Sequence, residues 1–176
     1  MNKKCRERLL EMKKLINNPE NVVREMLSGV VQAHPELTKP QNINSLIYDN
    51  QRKVTLISGG GSGHEPLDLG YVGAGLLDAA VVGAPFTPPT ADHIIKTAEL
   101  FKQRTPVLFI VKNFIEDRRE FAQAQEELIE RGYQVQTLIV SDDVSIDAAT
   151  KNVRRRGVAG TVLVHKILGA AASQGL

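Results

Sequence analysis

Seven consecutive residues carry the strongest chemical signal in the chain: Ser58-Gly59-Gly60-Gly61-Ser62-Gly63-His64. They follow the apolar run Lys53-Val54-Thr55-Leu56-Ile57 and lead into Glu65-Pro66. Four glycines in the five positions 59–63 leave main-chain N–H groups uncovered, able to approach a small oxygen-rich ligand closely. His64, at the end of that bare loop, sets a proton acceptor or donor beside whatever the amides hold. The bland alternative is a tight turn with His64 satisfied nearby, although four glycines exceed what a turn requires.

The loop fails the common nucleotide signatures. A Walker A loop needs Lys then Ser or Thr after its last glycine, where His64-Glu65 stand here. The dinucleotide pattern G-x-G-x-x-G, started at Gly59, meets His64 in its last place. Partner residues lie further on. Lys112 ends an apolar run, where a charged side chain must leave the core or find a partner. It either snorkels and caps the sheet or donates to a ligand oxygen. Asp117, five residues later, either caps a helix or folds back to accept a hydroxyl proton during phosphoryl transfer. Asp142 and Asp143 read as a cap rather than metal ligands, because hard cations want more oxygen atoms. His165 reads as a strand-end histidine with a packing or hydrogen-bonding role. His34 and His93 have no partner pattern, and no two histidines stand at a zinc-like spacing.

The elements that must position these groups alternate. Asn18, Pro19 and Glu20 open a helix whose apolar stripe runs through Val22, Val23, Met26, Leu27, Val30 and Val31. His34-Pro35 ends it. Five further apolar runs predict buried strands: 54–57, 79–82, 107–111, 135–140 and 161–164. Thr90 caps a helix carrying Ile94, Ile95, Ala98 and Leu100. A second begins near Asp117, with Phe121, Ala124, Leu128 and Ile129 inward, and ends near Arg131-Gly132. A third begins at Asp143 or Ser145, and a last one spans 166–173. Residues 38–52 read as a long connection or an edge strand. Strands alternating with helices predict an α/β domain with a largely parallel sheet covered on both faces. The glycine loop, Pro85–Thr90, Lys112–Asp117 and Ser141–Asp143 then collect on one rim, outside the carboxyl ends of the strands.

Composition narrows the class. The 176 residues suit one α/β domain, with 42% hydrophobic and 24% charged residues. A net charge of +2, short basic clusters, 5% aromatics and no Trp argue against a nucleic-acid surface. The single cysteine, Cys5, has no internal disulfide partner. Met1–Glu11 is charged throughout and lacks the apolar stretch of a secretory signal, and no run approaches the ~20 apolar residues of a membrane span. A soluble, cytoplasmic protein without a membrane partner is the expectation.

Several blocks in order resemble the substrate-binding subunit of the dihydroxyacetone (glycerone) kinase family. They are Met12–Asn17, Ser58–Pro66, Gly70-Tyr71-Val72-Gly73, Phe86-Thr87 with Pro89-Thr90, Lys112-Asn113, Asp142-Asp143-Val144 and Arg155–Leu163. The resemblance runs from Met12 to Leu176 and corresponds to the family's N-terminal domain. Residues 1–11 then form an N-terminal extension, or follow from a misassigned start. The resemblance implies a mixed, largely parallel sheet between helices, and a homodimer. It implies that dihydroxyacetone is held by the glycine loop (Gly60, Gly61 and Ser62), by His64, and by Lys112 and Asp117. His64 and Asp117 would handle the hydroxyl proton. It places ADP or ATP, with Mg, on a separate phosphotransfer subunit or domain, and no cofactor on this chain. Some relatives instead act as dihydroxyacetone-sensing coactivators of a transcription regulator, without kinase activity.

The pattern departs from the family in places. The histidine that holds the substrate carbonyl covalently belongs to a second family domain, and none of His34, His93 or His165 matches its motif. Pro88 stands where Ser is usual, Ile115-Glu116 where Thr-Gly or Leu-Gly is usual, and Ser141 where a third Asp would precede Asp142. Glu116 is expected to raise the pKa of its neighbour Asp117 by adding negative charge.

Overall fold

The computed structural model describes residues 15–49, 52–101, 105–145 and 155–175. Residues 1–11, Cys5 among them, and the body of the helix expected after Asp143 or Ser145 lie outside the described residues.

Asn18 caps as its type predicts, its side chain accepting from the Glu20 amide at 3.0 Å. What it opens is a short 3₁₀ turn over Pro19–Asn21, which leads into helix α1, Val22–Ala33. The first strand, β1 (Ser45–Ile47), lies at the sheet edge, so of the two readings open for 38–52, a long connection or an edge strand, the strand is present as three residues. Then come β2 (Thr55–Ser62), β3 (Ala79–Pro85), α2 (Ala91–Glu99), β4 (Val107–Lys112), α3 (Ile115–Glu130), β5 (Val135–Val140) and α4 (Gly160–Ser173). The sheet runs β1-β3-β2-β4-β5, with β1 antiparallel to β3 and every other pairing parallel.

The central strands β2, β3 and β4 are buried on both faces along most of their length and read as apolar runs rather than as alternating ones, whereas Gln136, Leu138 and Ile139 of β5 are exposed. On one face Ile57, Val81, Phe109 and Val111 pack with Ile94 and Ile95 of α2 and with Phe121 and Leu128 of α3. On the other, Leu56, Ala80, Val82 and Ile110 pack with Val23 and Leu27 of α1 and Ala172 of α4. Chain direction across the sheet reverses at β2: β3 lies on one side of it and β4 on the other. The carboxyl ends of β2 and β4 therefore border the crevice where such sheets take ligands.

Two expectations are corrected. The run 161–164 is not a strand but the first turns of α4. Its buried positions are Thr161, His165, Gly169 and Ala172, a helical spacing, while Leu163 and Ile167 are exposed. A short β-branched run does not separate strand from helix, and the expected boundary at Lys166 cut this helix in two. His165 is consequently a helix residue, not a strand-end one. The glycine segment, expected as a loop after Ile57, is largely strand: β2 continues to Ser62, with Gly59, Gly60 and Gly61 paired to Val81, Val82 and Gly83.

Candidate functional site

Past Ser58 the pairing between β2 and β4 stops, although β2 continues for four more residues along β3. A notch opens between the two strand ends. Glycine is required there for closeness rather than for bareness alone. A Cβ on Gly59 would stand 2.4 Å from the Val81 carbonyl oxygen, and one on Gly61 would stand 2.6 Å from the Thr87 nitrogen. The segment Pro85–Pro88 folds over the strand end, fixed by the Phe86 amide donating to the Ser62 carbonyl at 2.8 Å.

Around this notch lies a cavity of about 490 Å³. Gly60, Gly61, His64 and Leu67 line it from β2 and the turn that follows. Phe86 and Pro88 come from beyond β3, and Lys112, Phe114 and Asp117 from the β4–α3 junction. Gly157, Val158 and Ala159, just before α4, complete it. Four of the expected residues, Gly60, Gly61, Lys112 and Asp117, thus meet His64 in one place. Ser62 does not line the cavity; it is buried at the end of β2, where it pairs with Pro85 of β3. A second hollow of about 470 Å³, between α3 and β5, is lined by Ile115, Arg118, Arg119 and Thr137 and holds none of the candidate acid–base groups.

Each side chain is set by its element. His64 is exposed and meets Phe86 edge-on, ring centroids 5.5 Å apart at 90°. Lys112, the last residue of β4, is buried and does not snorkel. Its ammonium donates to the Gly59 carbonyl oxygen at 2.9 Å and to Oδ2 of Asp68. Asp117 sits in the first turn of α3 and is not its cap; Phe114 occupies that position. Burial, above all, pushes the Asp117 carboxyl up from its ordinary value. Lys112 and His64 pull it back, and the negative charge of Asp68 adds to the rise. Glu116 takes no part in this shift, which corrects the expectation; its exposed carboxylate faces Arg119 at 4.0 Å.

Asp142 holds main-chain amides distant in sequence rather than those of the residues that follow it. Its two oxygens accept from the Val158 amide and the Gly160 amide, each at 2.7 Å, which anchors the approach to α4. Asp143 accepts from Arg156 Nε at 3.0 Å. Gly157 lets this segment lie against β4, since a Cβ there would stand 2.8 Å from Lys112 Cα. Sequence reasoning missed Asp68 and the apolar wall of Phe86, Phe114 and Val158. Asp68 left one visible sign, an acid between Leu67 and Leu69, but its partner is 44 positions away.

The cavity therefore combines a buried ammonium, a carboxyl of raised proton affinity, an imidazole and closely approachable backbone. Such a set suits a small polyhydroxylated or carbonyl compound rather than an apolar one.

Comparison with known proteins agrees with that chemistry. A family model described as the Dak1 domain matches residues 28–176. The dihydroxyacetone-binding subunit of PTS-dependent dihydroxyacetone kinase 1 from Listeria innocua is 44% identical over 167 residues, covering 93% of this chain and 51% of that protein. The DhaKLM operon coactivator DhaQ of Lactococcus lactis is 43% identical over 166 residues, covering 92% and 50%. Among solved structures, C. freundii dihydroxyacetone kinase in complex with AMP-PNP and Mg2+ has a TM-score of 0.85 at 36% identity, covering 93% of this chain and 31% of that one. The Dha-DhaQ co-activator has a TM-score of 0.82 at 44% identity, covering 86% and 47%. The chain spans about half the length of the curated relatives it matches. The fold, the order of its motifs and a family match over 28–176 together establish that this chain belongs to the Dak1 domain family.

Proposed function

We propose that this chain is the dihydroxyacetone-binding part of a dihydroxyacetone kinase, with the phosphoryl donor carried by a separate subunit or domain. The single observation that carries this reading is the convergence of His64, Lys112 and Asp117 with Gly60 and Gly61 on one cavity. Relatives described as dihydroxyacetone-binding subunits support it.

In this reading the Lys112 ammonium donates to an oxygen of the triose and orients it. Gly61 lets the substrate approach the backbone. Asp117 accepts the proton of the attacking hydroxyl while that oxygen takes the phosphoryl group from the donor. A carboxyl whose proton affinity is raised by burial is a stronger base than an exposed one, provided it is ionised at the working pH. His64 hydrogen-bonds the same hydroxyl region and shares the proton traffic. Positioning and charge do most of the work in phosphoryl transfer. The nucleotide and its Mg belong to the partner; AMP-PNP and Mg2+ are named for the C. freundii kinase. Homodimerisation and a cytoplasmic setting are part of the same proposal.

A second reading has its own observation. DhaQ, described as an operon coactivator, matches at 43% identity, so a triose-sensing module without turnover fits the same cavity. Calorimetry with dihydroxyacetone, followed by assay with donor components and with the family's second domain supplied, separates the two. Binding with turnover supports the kinase. Binding without turnover supports the sensor, and no binding by either form removes both.

A further inference from the structure

Behind the cavity wall three ionisable side chains meet in the protein interior. Lys112 is 6% exposed, Asp68 4% and His165 0%. An ammonium has three N–H groups. Lys112 gives one to Asp68 Oδ2 and one to the Gly59 carbonyl, and the residue itself lines the cavity. On the far side of Asp68, His165 Nε2 stands 3.9 Å from Oδ1. Burial pushes the His165 imidazolium down to about 4, so the ring is neutral and adds no second cation beside Lys112.

We propose that Asp68 is a positioning residue of this site: it pins the Lys112 ammonium with one N–H turned to the cavity and holds the group as a donor rather than a nucleophile. His165 walls the pair from behind. The assignment deepens the proposed function, and rests on it only where the triose is used as a probe. Its physical basis is the cost of an uncompensated buried charge. A buried ammonium deprived of its counter-charge sheds its proton, and the neutral amine attacks carbonyls. With a ketone, the nitrogen lone pair adds to the carbonyl carbon, the carbonyl oxygen leaves as water with the two amine hydrogens, and a C=N bond forms. Borohydride then delivers hydride to that carbon and water protonates the nitrogen. The resulting secondary amine carries the mass of the triose less one oxygen.

The first arm of the test needs no substrate. The full chain is reductively methylated with formaldehyde and cyanoborohydride, and labelling at Lys112 is read by peptide mass against exposed Lys166. In Asp68→Asn the Lys112 ratio should rise by about tenfold or more. Asp68→Glu should restore the parent ratio. Asp78→Asn, which removes a different buried carboxylate, should leave it unchanged. If Asp68→Asn does not fold, Asp68→Ser carries the same comparison. A folded variant with an unchanged ratio, or an equal rise in Asp78→Asn, overturns the assignment. The second arm adds dihydroxyacetone and borohydride. An adduct on Lys112 in the Asp68 variant but not in the parent supports both proposals. A rise in methylation without any triose adduct leaves Asp68 assigned and counts against the triose site.

Discussion

Lys112 Nζ and the Gly59 carbonyl oxygen, 2.9 Å apart, close the gap where β2 and β4 cease to pair. The last ladder partners are Ser58 and Ile110, so two residues on, a side chain takes over from the backbone. The same ammonium answers Asp68, which makes the contact part of the fold's support. Lys112→Met should therefore strand a buried carboxylate and lose about 3–5 kcal/mol in urea denaturation. Adding Asp68→Leu should recover more than half of that loss. A double variant no more stable than the single one would show that the pair carries no such coupling.

Gly61→Ala tests the closeness of the strand end to its cover. The added methyl meets backbone atoms of Thr87 at 2.6 and 2.9 Å, which no rotamer change relieves. A destabilisation of about 1–3 kcal/mol is expected, with loss of triose binding. Gly29→Ala is the control, because open space surrounds that position. Thermal melts of the two variants and calorimetry on Gly61→Ala decide the matter.

Asp117→Asn should abolish most turnover, by about 10²–10⁴-fold, while affinity for dihydroxyacetone is largely kept. His64→Ala should weaken affinity as well. Because burial raises the Asp117 pKa, the rate should fall on acidification at a pH above the ordinary carboxylate range. A steady-state pH profile with the competent donor system checks this, and unchanged turnover in Asp117→Asn would falsify its role as base.

Two buried groups give stability opposite slopes with pH. Burial raises Asp78 to about 6, so the folded state holds a proton that the unfolded chain has released, and stability falls as pH rises from about 4 to 6. Burial lowers His165 to about 4, so its contribution is whole above about 6.5 and is lost as pH falls towards 4. Each is worth about 3 kcal/mol at most. The parent profile should be shallow across this window because the two oppose. Asp78→Asn should leave the His165 rise uncovered, so that stability climbs steeply from pH 4 to 6.5 in urea titrations. A variant as flat as the parent contradicts the assignment.

Asp142→Ala removes the acceptor of two main-chain N–H groups at 2.7 Å, one before α4 and one at its first residue. The expected loss is about 1–2 kcal/mol, the usual scale for a cap. Asp142→Asn should retain part of it, since one oxygen still accepts. Paired chemical denaturation curves provide the measure.

Much of this was legible in the residues. Strands beginning at Ala79 and Val107 are apparent because sheet positions buried on both faces leave nearly unbroken apolar runs. Lys112 and Asp117 are apparent because a strand end and the helix after it lie close in sequence. What escaped depends on distance along the chain or on ambiguous local preference. Asp68 becomes meaningful only once β4 delivers Lys112 beside it. Thr161–Val164 is rich in β-branched residues, yet the sheet already ends at β5 and the uncovered face takes a helix. Gly59–Gly61 look like a loop because glycine is depleted in strands. Here closeness to Val81 and Thr87 outweighs that preference.

The cavity wall draws on stretches as far apart as Gly60 and Ala159. No hairpin or single βαβ unit contains it, so occupancy senses the whole assembly at once. Ligand at a hundred times Kd should raise the unfolding free energy by about 2.7 kcal/mol, and every element should melt together at the higher temperature. Amide exchange in α2, which lines no part of the cavity, should slow in step with exchange at the lining residues wherever opening is global.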